Sequence, residues 1–218
     1  MAKIKVDDDQ RQAILTAAAR LFGEKGFSGT STREIARSVG LQQSSLFHYF
    51  PSKNSILDEL LEYSLDGPVR HAQALAAADG SPAARLYRYL YDDTAFLYGS
   101  PYDLSGVYAD EVVNDPAFSP WMRRRAQLHK SVRKMIRQGI DAHEFITIDP
   151  SFAQMLISSM NHMNLKRAAA GRRRPVEVVA TESTDFVLRG LLVDPQRLDS
   201  VREAARSIAG TGTTEELS

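Results

Sequence analysis

Apolar residues recur along this chain with the spacing of helices, and no long run alternates apolar and polar residues as a strand would. Residues 9–25 carry such a stripe at positions i, i+3, i+4, i+7 and i+8, which share one face of a helix. Its members are Ile14, Ala17, Ala18, Leu21 and Phe22. We therefore predict a first helix over residues 9–25, ended by Gly26 as a helix C-cap.

Stronger start and stop signals follow. Ser31 and Glu34 have the spacing of a capping box, which predicts a short helix over residues 32–39. Gly40 permits a tight turn, and a third helix is predicted over residues 42–49, before Pro51. Ser52 is a candidate cap for a fourth helix reaching residue 65, where Gly67 and Pro68 are expected to break or kink it.

Turn-forming residues divide the remainder into about six further helices. The breaks are expected at residues 79–82, 99–101, 114–116, 149–150, 171–175 and 194–195. The last residues, 210–218, are polar and contain glycine, so we expect a disordered tail. The predicted fold class is all-α.

Composition narrows the function classes. The chain has no cysteine, which excludes disulfides and thiolate chemistry, and neither a signal sequence nor an apolar run of membrane-spanning length is visible. We expect a cytoplasmic protein with no membrane partner. The formal net charge is zero, but residues 10–56 hold six basic and two acidic side chains, a local charge of +4. One end of the protein therefore suits a nucleic acid.

The segment from Ser31 to Lys53 has the pattern of a helix-turn-helix. Two short helices that cross steeply need a small residue at their contact and a turn that tolerates an unusual backbone angle, and Ala36 and Gly40 meet these demands. Ile35, Val39, Leu41 and Leu46 lie where apolar residues would hold the pair to the first helix. On spacing alone, a plain helical corner remains the alternative.

The letters STREIARSVGLQQSSLFHYFPSKNSIL, from Ser31 to Leu57, resemble the N-terminal DNA-binding domain of the tetracycline-repressor (TetR) family. The resemblance covers residues 11–60 and continues only as an all-helical layout of matching length. It implies a three-helix DNA-binding domain over residues 1–50 and a larger helical domain for ligand binding and dimerisation over residues 51–209. It also implies a homodimeric transcription regulator, a repressor that a small-molecule effector releases from a palindromic operator on double-stranded DNA.

The resemblance assigns DNA contacts position by position. Gln43 is our choice for reading bases, because a glutamine amide can bond adenine N6 and N7 together. Phe47 stands where the family most often has a tyrosine that bonds a phosphate, so that bond is absent; core packing is the alternative for Phe47, and the better reading for Phe50. The predicted DNA-binding residues are Thr32, Gln42, Gln43, Ser44, Ser45, Phe47, His48, Tyr49 and Lys53.

Two apolar stripes are candidates for the dimer interface, which the family builds as a four-helix bundle of the last two long helices. One consists of Phe152, Met155, Leu156, Ser159 and Met163. The other consists of Val176, Ala180, Thr184, Val187 and Leu191. Packing within one subunit is the alternative for both.

An effector pocket is a further expectation, with ordinary core packing as the alternative for each of its residues. The candidates are Tyr87, Tyr91, Phe96, Tyr98, Tyr108, Trp121, His129, Met155, Met160, His162 and Met163. The two histidines form no metal-ligand motif, and we expect neither metal nor cofactor. Arg172–Arg174 form a solvated turn.

The rival classes are an enzyme and a ligand-independent architectural DNA-binding protein. We find neither a nucleophile–base pair nor a glycine-rich phosphate loop, so we predict that the chain is not an enzyme. In the favoured mechanism a ligand changes the spacing of the two recognition helices of the dimer, with the fourth helix as the link.

Overall fold

The computed structural model describes residues 2–208, with side chains described from residue 8 onward. Within these residues the chain is helical and has no strand, apart from an isolated antiparallel bridge between Phe145 and Leu192. The all-α fold class is confirmed. The helices are α1 (Ala2–Lys25), α2 (Thr32–Ser38), α3 (Gln43–Tyr49), α4 (Lys53–Ala77), α5 (Pro82–Gly99), α6 (Asp110–Val113), α7 (Ser119–Asp141), α8 (Pro150–Ala169), α9 (Val176–Leu191) and α10 (Leu198–Arg206). Short 3-10 helices span Leu104–Gly106, Pro116–Phe118 and Pro195–Arg197.

Most predicted breaks coincide with helix ends, but two boundaries differ. Helix α1 begins at Ala2, before the predicted start at residue 9. Helix α4 continues through Pro68 to Ala77, where we expected it to end or kink, because Val69, Ala72 and Leu75 extend its buried stripe beyond the proline. Burial of that stripe outweighs the hydrogen bond that proline cannot donate. The predicted tail at 210–218 lies outside the described residues.

The chain divides into two compact units, each described here by itself. The first unit consists of residues 1–64 and 100–123, and the second of residues 65–99 and 124–218. The first unit therefore extends past the expected boundary at residue 50 and includes a distant segment. Nothing local at residue 50 marks a boundary, since α4 begins at Lys53 and continues without interruption.

The first unit has its core between α1, the two short helices and the start of α4. Ile14, Phe22, Ile35, Leu46 and Ile56 are almost fully buried there. The 3-10 helix Leu104–Gly106 approaches the end of α1 so closely that a Cβ on Gly106 would lie 2.5 Å from the Phe22 carbonyl carbon. Glycine is therefore required at this contact.

In the second unit α5 packs against α8, α9 and α10. The predicted dimer stripe on α9 belongs to this internal core: Ala180, Thr184 and Leu191 are buried, and Val176 and Val187 are partly buried. Contact with a second subunit stays a prediction for this stripe, three of whose five residues pack within the chain. Its apolar spacing reflects packing on the chain's own α5.

Candidate nucleic-acid interface

Helix α2 begins with the predicted capping box, which is confirmed. The Glu34 amide donates to Ser31 Oγ at 3.2 Å, and the Ser31 amide donates to the Glu34 carboxylate at 2.9 Å. Lys25 Nζ also donates to Glu34, at 2.7 Å. Hydrogen bonds from Lys25 and Ser31 lower the pKa of Glu34 to about 2, so the cap stays ionised at neutral pH.

The turn between α2 and α3 depends on a glycine. Gly40 has a φ of 72°, in the left-handed region that side chains with a Cβ rarely adopt, although the space around it is empty. The Leu41 amide then donates to the Ala36 carbonyl at 2.9 Å. The sequence prediction for these residues is confirmed, since Ala36 is buried and Gly40 makes the turn.

Helix α3 buries Leu46, and Phe50, just beyond its end, is buried as well, so the outer side of α3 stays accessible. Phe47 is 44% exposed, so the core reading does not hold for it. Ser44 and His48 are exposed on the same short helix, Gln42 is exposed immediately before it, and Ser45 and Tyr49 are partly buried. Most of the residues predicted to contact DNA therefore remain accessible.

The predicted base-reading residue has a fixed neighbour. Gln43 Nε2 donates to Thr32 Oγ1 at 2.8 Å, which joins the start of α3 to the start of α2. Both residues are partly buried. A side chain held in one orientation loses less rotamer freedom when it binds. The contact of Gln43 with bases stays a prediction.

Lys53 has an intramolecular role that the sequence did not reveal. Its ammonium donates to the carbonyls of Phe27 and Thr30 at 2.6 and 2.8 Å and lies 4.3 Å from the centre of the Phe27 ring. Burial lowers its pKa, and the nearby Glu111 carboxylate opposes that shift. An ammonium group has three donors, and two of them are used by these carbonyls. The third can still reach a phosphate, so the predicted phosphate contact stays a prediction.

Glu111 binds the backbone amides of the same loop, the one that contains Phe27 and Thr30. It accepts hydrogen bonds from the backbone amides of Phe27 and Ser28. A hydrogen bond with the Ser28 side chain is the main cause that lowers the pKa of the Glu111 carboxyl group, and the two amides lower it further. Gly26 in this loop has a φ of 78°, and a Cβ there would lie 2.6 Å from Glu111 Oε1. The connection between α1 and α2 is thus fixed by a carboxylate far away in the sequence.

Arg11 fixes the end of α3. Its guanidinium pairs with Glu59, donates to the Tyr49 carbonyl at 2.8 Å, and lies 4.2 Å from the centre of the Phe50 ring. These contacts connect α1, α3 and α4. In the sequence Arg11 is visible only as one of the basic residues of this segment, because Glu59 lies 48 residues away and no local pattern links the two.

An Arg11→Met variant is expected to lower the free energy of unfolding by about 1 kcal/mol, since the carbonyl of Tyr49 loses a charge-assisted donor on a partly exposed surface. Urea denaturation followed by circular dichroism measures the change. Arg20→Met is the control, because Arg20 pairs only with Glu24, one turn away on the exposed side of α1. Equal losses in the two variants would contradict a role for Arg11 in fixing α3.

Two more cations lie close to the helix-turn-helix in sequence. Arg33 and Arg37 are exposed on α2, one turn apart, and neither forms an ion pair with another described residue. Guanidinium groups of this kind bind phosphate oxygens with two donors. We add them to the candidate phosphate contacts; the local charge of +4 was the only signal for them.

The candidate effector-pocket residues do not form one group. Tyr108 and Trp121 belong to the first unit, where Tyr108 Oη bonds Ser64 Oγ at 2.7 Å and Trp121 Nε1 donates to Asp58 at 2.7 Å. Tyr87, Tyr91, Phe96 and Tyr98 lie on α5 in the second unit; Tyr87 donates to Asp185 at 3.1 Å, and Tyr98 Oη accepts from the Arg174 amide at 2.8 Å. His129, Met160 and His162 are partly buried in that unit. A pocket built from this set stays a prediction.

A buried polar cluster in the second unit joins α5 to α8 and was not anticipated. Asn161 Nδ2 donates to Asp93 at 3.0 Å, and Thr94 Oγ1 donates to Asn161 Oδ1 at 3.1 Å. Desolvation raises the pKa of Asp93 to about 7. Two adjacent polar residues on α5 therefore face the interior. The sequence does not indicate this, because an isolated polar residue in a helix is usually exposed to solvent.

Helix α8 leaves an apolar face uncovered. Phe152, Met155, Leu156 and Met163 are each half exposed, at 50, 50, 50 and 55%. On the adjacent helix α9, Phe186 is 76% exposed. Met155 and Met163 therefore lie on this face, which we call the α8 apolar face. Exposed apolar side chains clustered in this way mark an interaction surface.

Two further features of the described residues bear on other functions. No helix among them combines the length and hydropathy needed to cross a bilayer. Their His, Asp and Glu side chains nowhere gather in threes as a candidate metal site.

Comparisons with known proteins agree with this geometry. The family described as bacterial regulatory proteins, tetR family, matches residues 14–60. IcaR of Staphylococcus aureus, the negative transcriptional regulator of the biofilm operon icaADBC, is 38% identical over 178 residues, which cover 81% of this chain and 94% of IcaR.

Two solved structures share the fold. AmtR of Mycobacterium smegmatis matches with a TM-score of 0.73 and 29% identity, over 91% of this chain and 95% of AmtR. AibR, solved in complex with isovaleryl coenzyme A and operator DNA, matches with a TM-score of 0.64 and 20% identity, over 81% of this chain and 97% of AibR. Since the helix-turn-helix matches the family and a regulator 38% identical spans most of the chain, the chain belongs to the TetR family of bacterial transcription regulators.

Proposed function

We propose that the protein is a repressor that occupies a palindromic operator in the bacterial cytoplasm and leaves it when a small-molecule effector binds. The accessible outer side of α3 carries this proposal, because α3 presents polar and aromatic side chains from a helix whose two ends are fixed. The N-terminal residues of such a helix meet base edges in the major groove.

The palindrome follows from a dimer. The α8 apolar face offers a surface that a second copy would cover, and an isologous interface pairs the same patch on both subunits. Two recognition helices related by a twofold axis read two equal half-sites about one helical turn of DNA apart, roughly 34 Å.

Release by an effector is supported by the fold. AibR, which shares this fold at low sequence identity, was solved with both an acyl coenzyme A and operator DNA. A ligand can release DNA only if it binds more tightly to the conformation with the lower operator affinity. The chain crosses between its units within α4 and α7, so these helices are our candidates for transmitting the change.

The test is selection of duplexes from a random library by the purified protein, followed by the same selection with Gln43→Ala. We expect the wild type to enrich a palindrome, and the variant to lose preference by about 1–3 kcal/mol at one base pair of each half-site, with the salt dependence of binding unchanged. Thr32→Val is a useful second variant. It removes the hydroxyl that accepts a hydrogen bond from the Gln43 amide, while Gln43 itself is kept.

The matched control is Arg37→Gln, an exposed cation on α2. It is expected to weaken all duplexes similarly and to reduce the salt slope by roughly one unit, because phosphate contacts carry no sequence information. A wild-type protein that enriches no palindrome would overturn the proposal. Base preference that survives Gln43→Ala would overturn the assignment of Gln43.

A further inference from the structure

A groove in the second unit is lined on one side by a row of cations. It has a volume of about 610 Å³, and its basic wall consists of Lys130, Arg133, Lys134 and Arg137 on α7. Positions i, i+3, i+4 and i+7 share one face of a helix, so the four charges point the same way. Gln73 on α4 and Ser151 at the start of α8 form other parts of the wall.

The four cations are not neutralised within the chain. No carboxylate among residues 8–208 forms an ion pair with any of them. Arg133 donates to the neutral amide oxygen of Gln154 at 3.2 Å, and that is its partner inside the protein. Like charges one turn apart destabilise a helix, so this face costs folding free energy unless an anion compensates it.

The positive field reaches neighbouring groups. Burial, together with the charges of Arg125 and Arg133, lowers the pKa of His129 to about 4. His129 is therefore neutral at neutral pH. The Asp149 carboxylate caps α8 by accepting from the Ser151 amide at 2.9 Å, so this amide is already engaged, and the α7 side chains supply the attraction.

The dimensions select the class of anion. Seven residues of helix span about 10 Å, which exceeds a single phosphate and matches two or three linked phosphates. Arginine binds phosphate oxygens with paired donors, and lysine adds point charges, so the four cations on α7 favour an anionic compound over a neutral one. The groove also has the size of pockets that hold small ligands.

We propose that this groove binds a small organic molecule that carries linked phosphate groups. That the bound molecule acts as the effector rests on the proposed function, whereas binding itself does not. The site is separate from the aromatic and methionine residues that the sequence analysis offered as a pocket.

The test is isothermal titration of the full-length protein with sodium tripolyphosphate in magnesium-free buffer at low salt. The variant Lys134→Gln with Arg137→Gln removes two exposed cations of the wall, and its affinity is expected to fall roughly tenfold or more. The control is Arg197→Gln with Arg206→Gln, which removes the same charge from exposed positions outside the groove and is expected to leave the affinity within about twofold. Neither pair makes a buried contact, and thermal melting checks that both variants fold.

Absence of tripolyphosphate binding by the wild type would overturn the proposal. Equal losses of tripolyphosphate affinity in the two variants would also overturn it, because they would indicate unspecific attraction between charges. Anisotropy with a short duplex of random sequence distinguishes a nucleic-acid surface. If the groove variant lowers the affinity for the duplex by the same factor as the affinity for tripolyphosphate, the groove is a DNA contact and the proposal is wrong. Because the titration contains no operator, its result is independent of whether the protein represses.

Discussion

A Leu156→Glu variant is expected to be monomeric and to bind operator DNA roughly 100-fold or more weakly than the wild type, since a monomer loses the gain from engaging two half-sites at once. Leu156 is half exposed within the α8 apolar face, next to Met155 and one turn from Phe152. A carboxylate buried at the centre of a twofold interface would also meet its own copy, and like charges there repel.

Sedimentation equilibrium measures the subunit number, and anisotropy measures operator affinity. Ile146→Glu is the matched control, because Ile146 is 40% exposed in the loop before α8 and lies outside the apolar face. It should remain dimeric with operator affinity unchanged. A Leu156→Glu protein that stays dimeric would place the interface elsewhere, and the predicted base-reading role of Gln43 would not depend on that result.

Gly106→Ala is expected to lower the free energy of unfolding by about 3 kcal/mol. The added methyl group would collide with backbone atoms, which cannot move aside as the end of a flexible side chain can. Its Cβ would lie 2.5 Å from the Phe22 carbonyl and 2.6 Å from the Gly23 nitrogen, both backbone atoms of α1. The end of α1 or the segment around Gly106 would have to move. DNA affinity should fall with stability, since α1 supports the helix-turn-helix through Arg11.

Urea denaturation gives the stability change, and Gly99→Ala is the control. A Cβ on Gly99 would make ordinary contacts at 3.7 Å with Val176, so its effect should stay within about 0.5 kcal/mol. A Gly106→Ala variant as stable as Gly99→Ala would show that the two segments of the first unit separate easily.

The local features were predictable from sequence because their partners are close along the chain. The capping box of Ser31 and Glu34 spans three residues, and the turn at Gly40 needs one backbone angle. Family resemblance added the direction in which α3 faces. These features together were enough to predict the candidate DNA-binding surface from the sequence.

The features that were missed depend on distant partners. Glu111 meets the loop at Phe27 across 84 residues, and Arg11 meets Glu59 across 48, separations at which no local pattern reports a contact. On α9, small and branched residues repeat as they would in a dimer interface, but the same repeat serves packing on α5. Periodicity identifies a buried face and leaves its neighbour undetermined.

The first unit is assembled from two stretches of chain, residues 1–64 and 100–123, with α5 encoded between them. Translation therefore delivers the helix-turn-helix well before Glu111 and Gly106, the groups that hold its first loop and the end of α1. A nascent or truncated chain that stops before residue 100 has the residues predicted to contact DNA but lacks this part of their support. We expect that only polypeptides extended past residue 123 complete this unit, so that operator binding would require synthesis of residues 100–123.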